Sequence, residues 1–180
     1  AIRLSGASSR RMIGLPKTNH RITMPVEIQR QLELAGIPED SSLLSYAQAA
    51  MENPERSEVC IRIVDEAEGR AMNLQWRGKD YATNVLSFPG SFPPGMPAGE
   101  VPELMGDIVL CAPVVAREAQ AQNKTLAHHW AHLIAHGVLH LRGFDHIEQP
   151  SATLMEQRER EILAGLDIPD PYRDDDHSAA

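Results

Sequence analysis

At 180 residues the chain is the length of one domain with room for a sizeable core, and 42% hydrophobic with 23% charged residues is ordinary for a globular protein in water. No apolar run reaches the roughly 18 residues that a membrane-spanning helix needs, and the opening AIRLSGASSRR lacks the apolar centre of a secretory signal. The net charge of -8 is uneven: residues 145–176 hold ten acids against three bases, and residues 1–24 hold five bases and no acid, so bulk charge neither supports nor excludes RNA as a partner.

Residues 1–20 read as a tail, native or added, 21–173 as one domain, and 174–180 as an acidic tail. In ITMPVEIQRQLEL (22–34), Val26 and Ile28 alternate with polar residues and predict a strand, with Pro25 favouring a sheet edge or a strand start. Ser41-Ser42 can cap a helix to about Asn53, with Leu43, Leu44, Ala47 and Met51 on one side. SEVCIRIVD (57–65) alternates Val59, Ile61 and Ile63 as a strand, and a short helix follows from Glu66 to Trp76. TNVLSFPG (83–90) predicts a third strand, and the Pro- and Gly-rich stretch 88–102 an irregular loop. GDIVLCA (106–112) is a fourth strand. Pro113 opens a helix that ends near Asn123. Thr125 caps the next, LAHHWAHLIAHGVLHL, which stops at Gly143, and a last helix spans about 151–165. The order implies an α+β fold, a small mixed sheet of about four strands covered by about five helices, with a site at the end of the His-rich helix. Cys60 and Cys111, each in an apolar β-branched run and without a CxxC pair, read as buried reduced thiols of a cytoplasmic protein.

Six of the eight histidines fall between 128 and 146. In HGVLHLRGFDH, His136 and His140 are four apart on a helix, so both rings leave nearly one face about 6 Å apart along the axis. Two imidazoles so placed can meet one metal ion. His132 would stretch the stripe to roughly 12 Å, too far for a third bond to one tetrahedral ion. Gly143 instead lets the chain turn back, and His146 re-enters from outside the helix. Neutral imidazoles suit zinc, although another transition metal such as nickel is open, and three protein ligands leave a fourth position for water. His128, His129 and His132 read as ordinary surface or core histidines.

The spacing equals that of the metzincin proteases, where Glu follows the first histidine as general base. Here that position is Gly137, which argues against a peptidase. Asp145 reads as a turn residue or a partner that orients a ligand. A metal-held water can act without a protein base, but phosphodiester cleavage then needs a cation against the phosphate. Arg77, Lys79 and Arg142 are the candidates; Arg142 also suits the helix end as a dipole partner and Arg77 a plain salt bridge.

HGVLHLRGFDH together with WRGKDYATNVLSFPG and GDIVLC resembles the bacterial YbeY family of endoribonucleases, over about residues 57–173 including DPY at 170–172; residues 1–40 show no clear match. The resemblance implies a zinc-dependent, single-strand-specific endoribonuclease that matures the 3′ end of small-subunit rRNA and serves ribosome quality control, with the ribosome and its assembly factors as partners. It implies His136, His140 and His146 as metal ligands, with His136 and Arg77 in catalysis. Asn84, Ser87 and Asp107 fall on family motif positions and are expected to shape the cleft, Asp107 as an acceptor behind the ligands. A metallopeptidase, or an assembly factor whose metal is largely structural, are the rival readings. The oligomeric state stays open.

Overall fold

The computed structural model describes residues 25–173 except 93 and 98; the expected tails, and Ile22–Met24 of the first expected strand, lie outside the described residues. Four strands, β1 (Val26–Arg30), β2 (Ser57–Val64), β3 (Val85–Pro89) and β4 (Leu104–Cys111), form one sheet in the order β1-β2-β4-β3. β1, β2 and β4 run parallel, and β3 is antiparallel to β4, so the sheet is mixed and β1, as Pro25 suggested, is an edge. Five helices follow in chain order: α1 (Asp40–Ala50), α2 (Glu66–Arg77), α3 (Ala112–Ala121), α4 (Leu126–Leu141) and α5 (Ser151–Gly165). Among the described residues no helix is long and apolar enough to cross a membrane.

The period-2 alternation of the strands sorts the core into two layers. Val59, Ile61, Ile63, Ile108 and Leu110 face α1 and α4, with Trp130, Ile134 and Val138 of α4 fully buried against them. Val64, Leu86, Val109 and Cys111 face the other way, under Met72 of α2. α4 is therefore a central helix, apolar on all but one stripe, and its histidines occupy that stripe.

Helix boundaries follow their caps. Asp65 accepts from the Glu68 amide and starts α2, and Gly78, at φ 69°, ends it one residue later than expected, which makes Arg77 the last helical residue. Thr125 caps α4 through the His128 amide, as the sequence predicts. The expected cap of α1 does not form: Ser41 and Ser42 lie inside the helix, and Glu39 precedes it with only its backbone carbonyl engaged. α1 also ends early, at Ala50, because Pro54 opens a separate 3-10 turn, Pro54–Arg56. Both thiols are free, and Cys111 is buried. Cys60 is only half-buried, because β2 places it on the row between Glu27 and Asp107 that borders an open groove of about 850 Å³.

Gly137 sets how closely α4 approaches the sheet. A methyl group there would stand 2.9 Å from Cγ2 of Ile108 and 3.2 Å from Oγ of Ser87, and that hydroxyl already donates to the Gly137 carbonyl at 3.2 Å. Overpacking of this kind costs about 1–3 kcal/mol, while alanine regains about 1 kcal/mol of helix propensity. Gly137→Ala is therefore expected to lower the unfolding free energy by at most about 2 kcal/mol in denaturant titrations. Gly137→Glu is expected not to fold stably; a well-folded Glu variant would contradict this packing.

Candidate metal centre

His136 and His140, one turn apart on α4, bring their Nε2 atoms to 3.0 Å. Two imidazole nitrogens that share one tetrahedral ion at bonds of about 2.0–2.1 Å stand roughly 3.3 Å apart, so this separation is close to what zinc requires. Gly143, at φ 92°, ends the helix, its amide bonded to the His140 carbonyl, and the chain doubles back. His146 then meets the pair, with ring centroids 5.2 Å from His136 and 4.9 Å from His140. The three histidines can offer ligand atoms that all lie within 4.8 Å of one another. The donor set, its spacing and the exposed side at His146 fit one transition metal with an open fourth position.

The His140 imidazole is pushed down to about 4 by burial first and then by its two histidine neighbours. It is therefore neutral near pH 7, the state a ligand needs.

His136 is held from behind by a residue that sequence reasoning missed. Glu159 of α5 is completely buried, and its carboxylate accepts from His136 Nδ1 at 2.5 Å, from His132 Nε2 at 3.2 Å and from the Tyr172 hydroxyl. Burial alone would raise this carboxyl, but the hydrogen bonds from His132, His136 and Tyr172 outweigh it and hold the group down at about 2. In the sequence Glu159 sits within QREREI, which looks like a solvated charged face; only its period with Met155 and Leu163, four residues either side and both buried, hinted that it points inward. His129 has a similar partner: its Nε2 lies 2.9 Å from Glu118, which also accepts from Asn84 Nδ2. Neither His129 nor His132 belongs to the group of three.

The other expected site residues are spread more widely. Ser87 lies under α4, bonded to Gly137 as above. Asn84 caps the start of β3 by accepting the Val85 amide at 2.6 Å. Asp107 shares its sheet face with Val109 and Cys111, opposite α4, so it cannot be an acceptor behind the ligands; it borders the groove instead. Arg142 is not free in the cleft: Nη1 donates to the Ala50 carbonyl at 2.9 Å and Nη2 lies 3.6 Å from Glu52, tying the ends of α4 and α1. Asp145 accepts the Ile147 amide at 2.9 Å and braces the returning turn. Arg77 and Lys79 are exposed at the end of α2, the helix on the opposite face of the sheet, and among the described residues neither side chain has a hydrogen bond or ion pair. Among the described residues no hydrogen bond, ion pair or ring contact joins Arg77 to the histidines.

Comparison with known proteins reaches further toward the N-terminus than the motifs do. The family model described as Endoribonuclease YbeY matches residues 35–167, which include α1. A protein from Xanthomonas oryzae pv. oryzae named Endoribonuclease YbeY is 51% identical over 156 residues, covering 86% of this chain and 97% of that protein. One of the same name from Stenotrophomonas maltophilia has the same identity and coverage. A solution structure of TM1509 from Thermotoga maritima aligns with 82% of this chain and 99% of its own at 23% identity and a TM-score of 0.45, a likeness too weak to bear on the fold in detail.

The depressed His140 value has a consequence for stability. Between about pH 4 and its ordinary value of 6.5 the unfolded chain binds more protons at this group than the folded one. Acidification through that window therefore favours unfolding. Metal-free protein is expected to lose thermal midpoint from pH 6.5 toward 4, and less steeply in His140→Asn; equal slopes for the two proteins contradict the assignment.

Proposed function

Because the chain belongs to the YbeY endoribonuclease family, we propose that it is a zinc-dependent enzyme that cuts single-stranded RNA, matures the 3′ end of small-subunit rRNA and serves ribosome quality control. The observation that carries this reading is the convergence of His136, His140 and His146 on one point beside an exposed edge. These residues would hold the ion, and a bound zinc ion supplies Lewis acidity and lowers the pKa of a coordinated water. The open coordination position and the exposure of His146 favour a catalytic over a structural ion. Nickel or another transition metal would satisfy the same donors.

The chain's own residues divide the remaining work. Arg77, with Lys79 beside it, is assigned to the phosphate: a guanidinium with no ion-pair partner among the described residues is available to offset charge that grows on phosphorus-bound oxygens. Asn84 and Ser87 shape the cleft through the start of β3 and the underside of α4. A peptidase mechanism would need a carboxylate at position 137, and the packing there leaves no space for one. The proposed setting is the cytoplasm, on or near the small ribosomal subunit and its assembly factors, where two reduced thiols persist.

Cleavage of single-stranded RNA by the purified, zinc-loaded protein tests the reading. Chelation, or His136→Ala, is expected to abolish both metal content and cleavage. Arg77→Ala is expected to stay folded and metal-loaded while cleavage falls by about 10²–10³-fold. RNA cleavage that survives metal removal sinks the proposal. An Arg77→Ala protein that supports normal rRNA maturation in cells would instead mark a docking protein with a structural metal.

A further inference from the structure

Glu159 is fully buried, yet among the described residues no lysine or arginine is bonded to it; its donors are two imidazoles and a phenol. A carboxylate only accepts hydrogen bonds, so His136 must carry its proton on Nδ1. That leaves the lone pair on Nε2, and Nε2 is the atom that stands 3.0 Å from His140 Nε2. The carboxylate therefore selects the tautomer in which His136 is a ligand toward the other two histidines. It also aims the ring, because one carboxylate oxygen serves His136 while the other serves His132 and Tyr172.

What holds Glu159 in place comes partly from the end of the chain. The turn Asp170-Pro171-Tyr172 is fastened by three ties: the Tyr172 amide donates to Asp170, Lys124 Nζ donates to the Pro171 carbonyl at 3.0 Å, and Arg160 bonds Asp170 while its guanidinium lies 5.1 Å from the Tyr172 ring centre. Burial and the Glu159 charge raise the Tyr172 hydroxyl, which keeps it protonated and donating. His132 packs edge-on against the same tyrosine ring, 5.3 Å between centroids.

We propose that Glu159, clamped by Tyr172 and His132, is a positioning residue that sets the tautomer and aim of His136 for the metal, so that the C-terminal Asp170–Tyr172 turn is a working part of the centre. This inference rests on the metal reading above. Carboxylates behind a ligating histidine typically change metal affinity by 10–100-fold.

The test uses the full-length protein with zinc, and with cobalt(II) as a spectroscopic probe. Glu159→Gln is expected to weaken zinc binding 10–100-fold in chelator competition and to shift the cobalt d–d bands. Tyr172→Phe removes only one donor to the buried carboxylate, so it is expected to keep the wild-type fold with a modestly lower apo thermal midpoint, yet to weaken zinc several-fold and shift the same bands. Long-range proton–nitrogen spectra of the zinc-loaded wild type are expected to show His136 bound through Nε2 with Nδ1 protonated. Wild-type zinc affinity and an unchanged cobalt spectrum in Tyr172→Phe, or His136 bound through Nδ1, would overturn the role. Wild-type protein that takes up no zinc at all would remove the metal reading itself, and this role with it.

Discussion

The contact of α4 with the sheet at Gly137 is the constraint from which the rest of the centre follows. With no side chain at that position, the helix settles onto Ile108 and Ser87. Its apolar faces are then fully used in the core, and one stripe is left for His132, His136 and His140. The same close approach excludes the carboxylate that an identical histidine spacing carries in metal-dependent peptidases. One packing fact thus both positions the ligands and removes one chemistry from them.

Around that helix the supporting pieces come from distant parts of the chain. The turn at Gly143 returns His146, braced by Asp145, while Arg142 ties the same helix end to α1. α5 crosses α4 and inserts Glu159, and the last described residues lock it through Tyr172. The outcome is a set of three imidazoles in front and an ionised carboxylate behind. That is the charge order expected around a cation: donors with lone pairs facing it, and negative charge one bond further out. Arg77 ends α2, the helix that packs on the other face of the sheet.

Much of this was legible in local patterns. Alternation predicted β1 and β2, short apolar runs predicted β3 and β4, and the i,i+4 histidines, the helix-ending glycine and the returning histidine are short-range features that survive in the structure unchanged. Caps were read well where the side chain had a single job, as at Thr125, and poorly at Ser41-Ser42, where a proline downstream and the backbone of Glu39 decided the helix limits. What stayed hidden was non-local. Glu159 looks solvated within QREREI because its partners lie 13 to 27 residues away in sequence. Asp107 carries the right chemistry but, by the period of two, the wrong face. Arg142 looks free until the end of α1, some ninety residues earlier, is brought against it.

The central claim is that three imidazoles, and no other protein group, hold one metal with a position open to solvent. X-ray absorption on the zinc-loaded, full-length protein tests it directly. The account predicts four-coordinate zinc with three imidazole scatterers at about 2.0–2.1 Å and one lighter oxygen. A fourth imidazole, a sulfur or a protein carboxylate in the inner shell, or zinc that keeps only water around it, would contradict the account.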